Sequence, residues 1–550
     1  MKTLLASTLA FSLLVLATRT AFAQHEHASD TSVPAQLLPG LGSLHHPIST
    51  TSHEAQQFFN QGLTLIYAFN HDEAVRSFRR AAELDPKAAM PWWGIANALG
   101  PNYNDPANPE RMKAAFDAVQ KAKTLAVAAP ENERDYINAL AARYSGDANP
   151  DVKKLAKDYA HAMGEVAKKY PDDPDAATIY AESMMNLHPW ELWKLDGSPA
   201  EGTLEIIAVL ETVLARFPEH IGANHYYIHS VEASPHAAWA LESADRLGKL
   251  APDAGHLVHM PSHIYARVGD FDAARKSNEA AATVDITYIK ATGAQGMYPA
   301  MYYSHNLHFL AYAAMQEGRL ADARAASNML VDNIHARAQG MPATMTERFL
   351  TYQILVPVRF RKWQDVLELP VQDSKLLMVT ATWRFARGMA YAATGKISEA
   401  KAEQEAFVSS LERISTETAP GYDSARTLSK ISAAMLDAQI AEATGNRKGA
   451  IEFWRKAVAV QDGLDYNEPP NWFYSVRESL GGALLRDEQF SEAEKVFRDD
   501  LARNPRNGRS LFGLWQALKA QNKIADAEWA YFEYKAAWKN ADSDLSIDDL

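Results

Sequence analysis

Three histidines fall within eight residues of the stretch "GHLVHMPSHIYARVGDF" (255–271): His256, His259 and His263. Spaced i, i+3 and i+7, they share one face of a helix. Imidazole is the commonest neutral metal ligand near neutral pH, and pairs one turn apart on a helix chelate well. The pattern extends beyond this stretch. Gly269, Phe271 and Ala274 recur as Gly318, Leu320 and Ala323, an offset of 49 that carries His256 and His259 onto His305 and His308 of "YYSHNLHFLAYA". A step of 34 residues the other way carries His259 and His263 onto His225 and His229 of "ANHYYIHSVEA". Eight of the 18 histidines lie between 225 and 308, and seven of them keep this register.

Such a stripe has several chemical uses. His225, His229, His256, His259, His263, His305 and His308 could converge on a divalent metal ion, copper, zinc or iron, with Glu232 as a carboxylate ligand or as a partner that orients an imidazole. With an open coordination position the same ions would make a metalloenzyme. Without metal, the cluster would take an anionic or aromatic ligand. Tyr226, Tyr227, Tyr265, Tyr302 and Tyr303 border it, and Tyr265 and Tyr303 are the candidates to orient a ligand. The bland alternative is structural: the rings bond backbone carbonyls or cap helices beside Asn224 and Asn306. No catalytic residue is nominated, because the chain has no Gly-rich phosphate loop, no GxSxG elbow and no HExxH pair.

The elements that carry these residues are helical. Of 550 residues 47% are hydrophobic, too many for one compact core. No stretch sustains period-2 alternation, which predicts an all-α chain. In residues 58–86, Phe58, Gly62, Ala74, Phe78, Ala81 and Pro86 place small residues where two helices would cross and bulky ones between them; Gly481, Ala493, Phe497 and Pro505 repeat the spacing. Ala527 and Tyr531 begin a further copy, and weaker ones lie at 383–407 and 435–458.

This pattern resembles the tetratricopeptide repeat (TPR). The resemblance implies a right-handed superhelical solenoid of antiparallel helix hairpins, its first helices lining a concave groove that binds a protein, a peptide or a small ligand. Stacking neighbours should build one continuous core. "HHPISTTSHEAQQFFNQGLTLIYAFNHDEAVRSF", "HLVHMPSHIYARVGDF", "YSHNLHFLAYAAMQEGR" and "DYNEPPNWFYSVRESLGGALL" together resemble an exported bacterial family of TPR proteins. That resemblance implies fold and export, and no reaction. The His-x-x-His spacing before an "EGR" turn is also similar to a eukaryotic cytosolic TPR family. A purely structural interaction scaffold is therefore a further functional reading.

Residues 1–23 read as a secretory signal: Lys2, an apolar core at 4–17, and Ala21-Phe22-Ala23 for cleavage. The competing reading, an uncleaved anchor, meets an apolar core short for a span. After cleavage no segment is apolar enough to cross a bilayer, and the location expected is periplasmic or secreted. Loss of Lys2 and Arg19 takes the net charge from −13 to −15, which argues against a nucleic-acid groove. Cysteine is absent, so disulfides, thiolate ligands and a cysteine nucleophile are excluded.

Residues 24–54 read as a polar lead-in, 55–538 as the solenoid with its histidine-rich hairpins at 221–334, and 539–550 as a frayed acidic tail. Residues 100–110 and 187–202 are irregular insertions. "NEPPNWFYSVR" (467–477) reads first as a bend that starts a helix, and second as an aromatic wall with an Arg clamp. His45 and His46 could fold over the groove as a lid. "QHEH" at 24–27 invites copper binding through a free amine, but cleavage after Ala23 would leave Gln24 first.

Overall fold

The computed structural model describes residues 35–106, 108–414 and 423–550. The leader and the "QHEH" stretch lie outside those residues. Helices follow one another in pairs, from His53–Tyr67 with His71–Leu84 to Gly508–Ala520 with Ile524–Ala537. Extended structure among the described residues is confined to two isolated bridges. No helix there is long and apolar enough to cross a membrane.

The repeat residues do what their sizes require. A Cβ on Gly62 or on Gly94 would come within 2.6 Å of the Phe78 ring, and one on Gly481 or Gly513 within 2.3 Å of Phe497. Each phenylalanine is thus clamped between the first helices of two successive pairs, an approach only glycine allows. Helix starts are set by side-chain caps: Ser52 accepts from Ala55 N, Asp270 from Ala273 N, and the His220 ring from Ala223 N.

The stack curls back on itself. Gly269, in the left-handed region at φ 79°, lies so close to the second strong repeat that a Cβ there would stand 2.0 Å from Pro505 O. Asp542 N donates to Gly318 O at 3.0 Å, and the Trp538 ring covers Gly318. The last pairs therefore rest on the middle ones.

Three expectations need correction. The apolar core is not continuous: one cluster runs from Ala35 to Ile264 and another from Ala282 to Leu550, with Phe271, Phe309 and Tyr312 as a small third group between them. The seam falls on the histidine-rich pairs, where polar rings replace apolar ones. The acidic tail is docked rather than frayed. Leu550 is buried, its backbone oxygen accepts from Arg361, and Arg509 donates to Asp549 O at 2.6 Å. Arg361, Arg486 and Arg509 need acceptors in a buried setting, and the tail's carbonyls supply them. Finally, His46 is no lid. It is buried against Asp175 at 2.8 Å, where Tyr67 and His220 also bond the carboxylate, while His45 stays near the surface beside Asn60.

Candidate metal centre

Helix Ile221–Val231 is buried along its whole length. His220 caps it and also bonds Asp175 at 3.1 Å. Gly222 lets Tyr67 approach, since a Cβ there would lie 2.6 Å from the ring. That approach brings Tyr67 O to 2.6 Å from His225 Nδ1, which donates to it. One turn on, His229 Nδ1 donates to Glu232 Oε1 at 2.9 Å. Both rings are held by Nδ1, and their Nε2 atoms are buried without a partner.

The next pair begins with two short helices, Gly255–His259 and Pro261–Arg267, because Pro261 interrupts the run. Both ring nitrogens of His256 are buried and unpartnered. His259 Nδ1 meets Asn278 Oδ1 at 2.6 Å, and Asn278 is fixed the right way round because its amide nitrogen donates to Ala274 O at 2.7 Å. His263 Nδ1 donates to Glu232 Oε2 at 2.6 Å. The partners therefore assign a proton to each Nδ1 and a lone pair to each Nε2. Those two Nε2 atoms face one another at 2.8 Å, and His305 Nε2, from helix Tyr303–Gln316, lies 3.4 Å from that of His263.

Two three-histidine sets result: His225, His229 and His256, and His259, His263 and His305, the ligand atoms of each within 4.8 Å of one another. Glu232 bridges them through its two oxygens. Burial acts to raise its pKa, but His229 and His263 hold it below the usual carboxylate range. Burial, reinforced by the neighbouring imidazoles, pushes His225, His256, His259 and His305 well below the usual histidine value, so these rings stay neutral.

The chamber is roofed rather than open to a groove. Phe69 stacks on His229 and His256 with centroids at 5.6 and 5.3 Å. Tyr103, from the first irregular insertion, packs on His229 at 5.3 Å, and Trp190, from the second, stacks on Tyr103 at 5.7 Å. Phe309 lies flat on His263 at 5.2 Å. The loop 467–472 crosses from far along the chain and sets Glu468 Oε2 3.4 Å from His263 Nδ1. Burial, and Glu232 nearby, push Glu468 well above its ordinary range. His305 alone of the six rings is partly exposed.

The structure thus brings together six of the seven expected histidines and Glu232. His308 is elsewhere: it packs edge-on against Tyr352 at 4.3 Å and Phe349 at 5.3 Å and lines a separate cavity of about 250 Å³ with Leu355, Met378 and Trp472. The offset of 49 misplaced it for a physical reason. Pro261 breaks one helix between His259 and the turn at Gly269, whereas helix Tyr303–Gln316 runs unbroken from His308 toward Gly318, so equal counts do not reach equal depth. A π-helical turn at Tyr298–Tyr302 decides the tyrosines. Tyr302 stands edge-on to His256 at 5.1 Å, whereas Tyr303 is buried in the apolar core. Tyr265 is turned away, donating to Asp245 at 2.6 Å. Sequence reasoning missed Asn278, Phe69 and Tyr103, and gave Glu468 no place at the histidines; the insertions and the Pro-Pro bend were the signals available.

A tetratricopeptide repeat model matches residues 55–87. No curated protein matches the chain. Among solved structures, it is similar to the Cut9-Hcn1 hetero-tetramer of the APC/C (12% identity, 90% of this chain and 75% of that one, TM-score 0.31). It is also similar to human IFIT1, solved as a dimer with m7Gppp-AAAA (12%, 89% and 91%, 0.30), and to yeast Tom70 (11%, 86% and 90%, 0.29). Residues 55–87 carry a tetratricopeptide repeat, and the helices that follow continue in pairs as that hairpin does.

Proposed function

We propose that this is an exported metal-binding TPR protein that holds a divalent copper, zinc or iron ion at His259, His263 and His305. One observation carries the reading. The Nδ1 atoms of His259 and His263 are committed as donors to Asn278 and Glu232, so two lone pairs face each other at 2.8 Å. Lone pairs in that relation need a cation between them. Outward Nδ1 bonds to an amide and a carboxylate are the arrangement that orients imidazole ligands toward a metal. An all-nitrogen neutral set suits copper, zinc or iron and disfavours magnesium and calcium. Export rests on the leader-like first 23 residues, and the absence of cysteine suits an oxidising compartment equally well as a reducing one.

The test is elemental analysis of protein made without a histidine tag. Stoichiometric metal, at least one equivalent of which is lost when His259 and His263 are both changed to Ala, supports the reading. Metal-free protein that also fails to take up copper, zinc or iron from solution, its 2.8 Å contact bridged by a proton alone, would overturn it.

A second reading, a scaffold whose function is partner binding, is favoured by a cavity of about 1190 Å³ walled by Trp190, Trp193, Tyr466, Trp472 and Arg477. A protein or peptide partner that binds equally well to the His259, His263 double variant would assign the function to that groove.

A further inference from the structure

We infer that the chamber is a two-ion centre, in which His225, His229 and His256 hold a second transition-metal ion beside the first, with Glu232 shared between them. This rests on the metal reading above and deepens it. The Nδ1 atoms of His225 and His229 are spent on Tyr67 O and Glu232 Oε1, which turns both Nε2 lone pairs inward with no donor to meet them. His256 adds a third ring with neither nitrogen partnered. Buried polar atoms are rarely left so, and three on one wall point to a missing occupant. A water molecule has two hydrogens for three lone pairs, and the Phe69 ring stacked on His229 and His256 makes that wall apolar. A single cation satisfies all three at once.

The second set adjoins the first. His256 and His259 are 5.8 Å apart by ring centroid, and His229 and His263 are 5.9 Å apart. Glu232 gives one oxygen to each set, at 2.9 and 2.6 Å. That single carboxylate aims one imidazole at each ion and sets a negative charge behind a ligand of each, which offsets part of the charge the two cations bring into a buried site. With three nitrogen ligands apiece, each ion keeps an open coordination position for a small ligand such as hydroxide.

The experiment uses untagged full-length protein, stripped with chelator and titrated with Cu²⁺ alone. Bound copper is counted by elemental analysis after dialysis, and electron paramagnetic resonance counts the spins. Expected are two coppers per chain in the wild type, with a signal weaker or broader than two isolated spins. His256→Phe, which keeps a flat ring between Phe69 and Tyr302, should hold one copper with a full, isolated signal, and His305→Gln should do the same. One copper in the wild type, unchanged by His256→Phe, would overturn the second ion while leaving the first in place. No copper at all would remove both. Two coppers giving two isolated spins, or two retained in folded His256→Phe, would put the second ion elsewhere and overturn the inference. The wild-type spin count needs no variant, so it decides the matter even if a variant misfolds.

Discussion

Glu232 Oε2 and His263 Nδ1 meet at 2.6 Å across 31 residues of chain, and the other oxygen of the same carboxylate reaches His229. One side chain therefore fixes the tautomer of a ring in each histidine set. In Glu232→Gln one carboxylate oxygen becomes an NH₂ group, which must face an N–H. That imidazole has to move its proton to Nε2, and its lone pair leaves the chamber. Metal affinity should fall about 10- to 100-fold with helicity unchanged, read by competition against a chromophoric chelator. An unchanged affinity would show that Glu232 does not orient the rings.

Gly255 begins the helix that carries His256 and His259, and a Cβ there would stand 1.9 Å from Asp285 Oδ1. Gly255→Ala should cost about 1–3 kcal/mol by overpacking, measured by urea unfolding, and should lower metal uptake as well. Gly248→Ala is the control. Its nearest neighbour would be 3.8 Å away within helix Leu241–Leu250, so it should stabilise by about 0.4–1 kcal/mol. Equal effects at the two glycines would refute the close-approach argument.

Asp285 is itself a source of pH dependence. Burial pushes its carboxyl up to about 7, against the opposing hydrogen bonds of Tyr298 and Asn306. The folded state therefore holds a proton that the unfolded chain releases near pH 3.9. Its stabilisation is complete below that value and is lost as pH rises through about 7. Asp285→Asn should gain on the wild type steadily from pH 4 to pH 7, with a constant advantage above. Melting curves at a series of pH values check this, and parallel profiles would count against it.

His71 and His308 work in the opposite direction. Burial, with Arg111 beside the first and Arg348 beside the second, lowers both to about 3. The unfolded chain protonates them near 6.5 while the folded one does not, so stability present above that pH is lost as pH falls toward 3. His308→Leu keeps the apolar contacts with Tyr352 and should flatten the acid limb of the stability profile. An acid limb as steep as that of the wild type would show that His308 is not responsible.

The repeat and the imidazole stripe were legible because both are written at short range. Gly62 and Phe78 lie 16 residues apart, and His259 and His263 one turn apart. Such spacings fix geometry within one hairpin. Depth between hairpins is another matter: His308 was misplaced because a proline breaks one of the two helices compared, and Tyr303 was taken for Tyr302 at a π-helical turn, neither of which leaves a periodic signal. Glu468 and Tyr103 reach the site only because the superhelix curls and the insertions fold inward. Nothing in one hairpin's sequence encodes how the distant loops close over another.

The roof of Phe69, Tyr103 and Trp190, with the loop that bears Glu468, draws its parts from four places along the chain. An ion held beneath it by His225, His229 and His256 would exchange with solvent when one of these pieces lifts, so its residence time would be set by a conformational barrier as well as by bond strength. Trimming Tyr103 or Trp190 to Ala would then speed release while leaving equilibrium affinity nearly untouched. The same roof would make the order of assembly matter: metal supplied before residues 467–472 dock should enter more readily than metal supplied afterward.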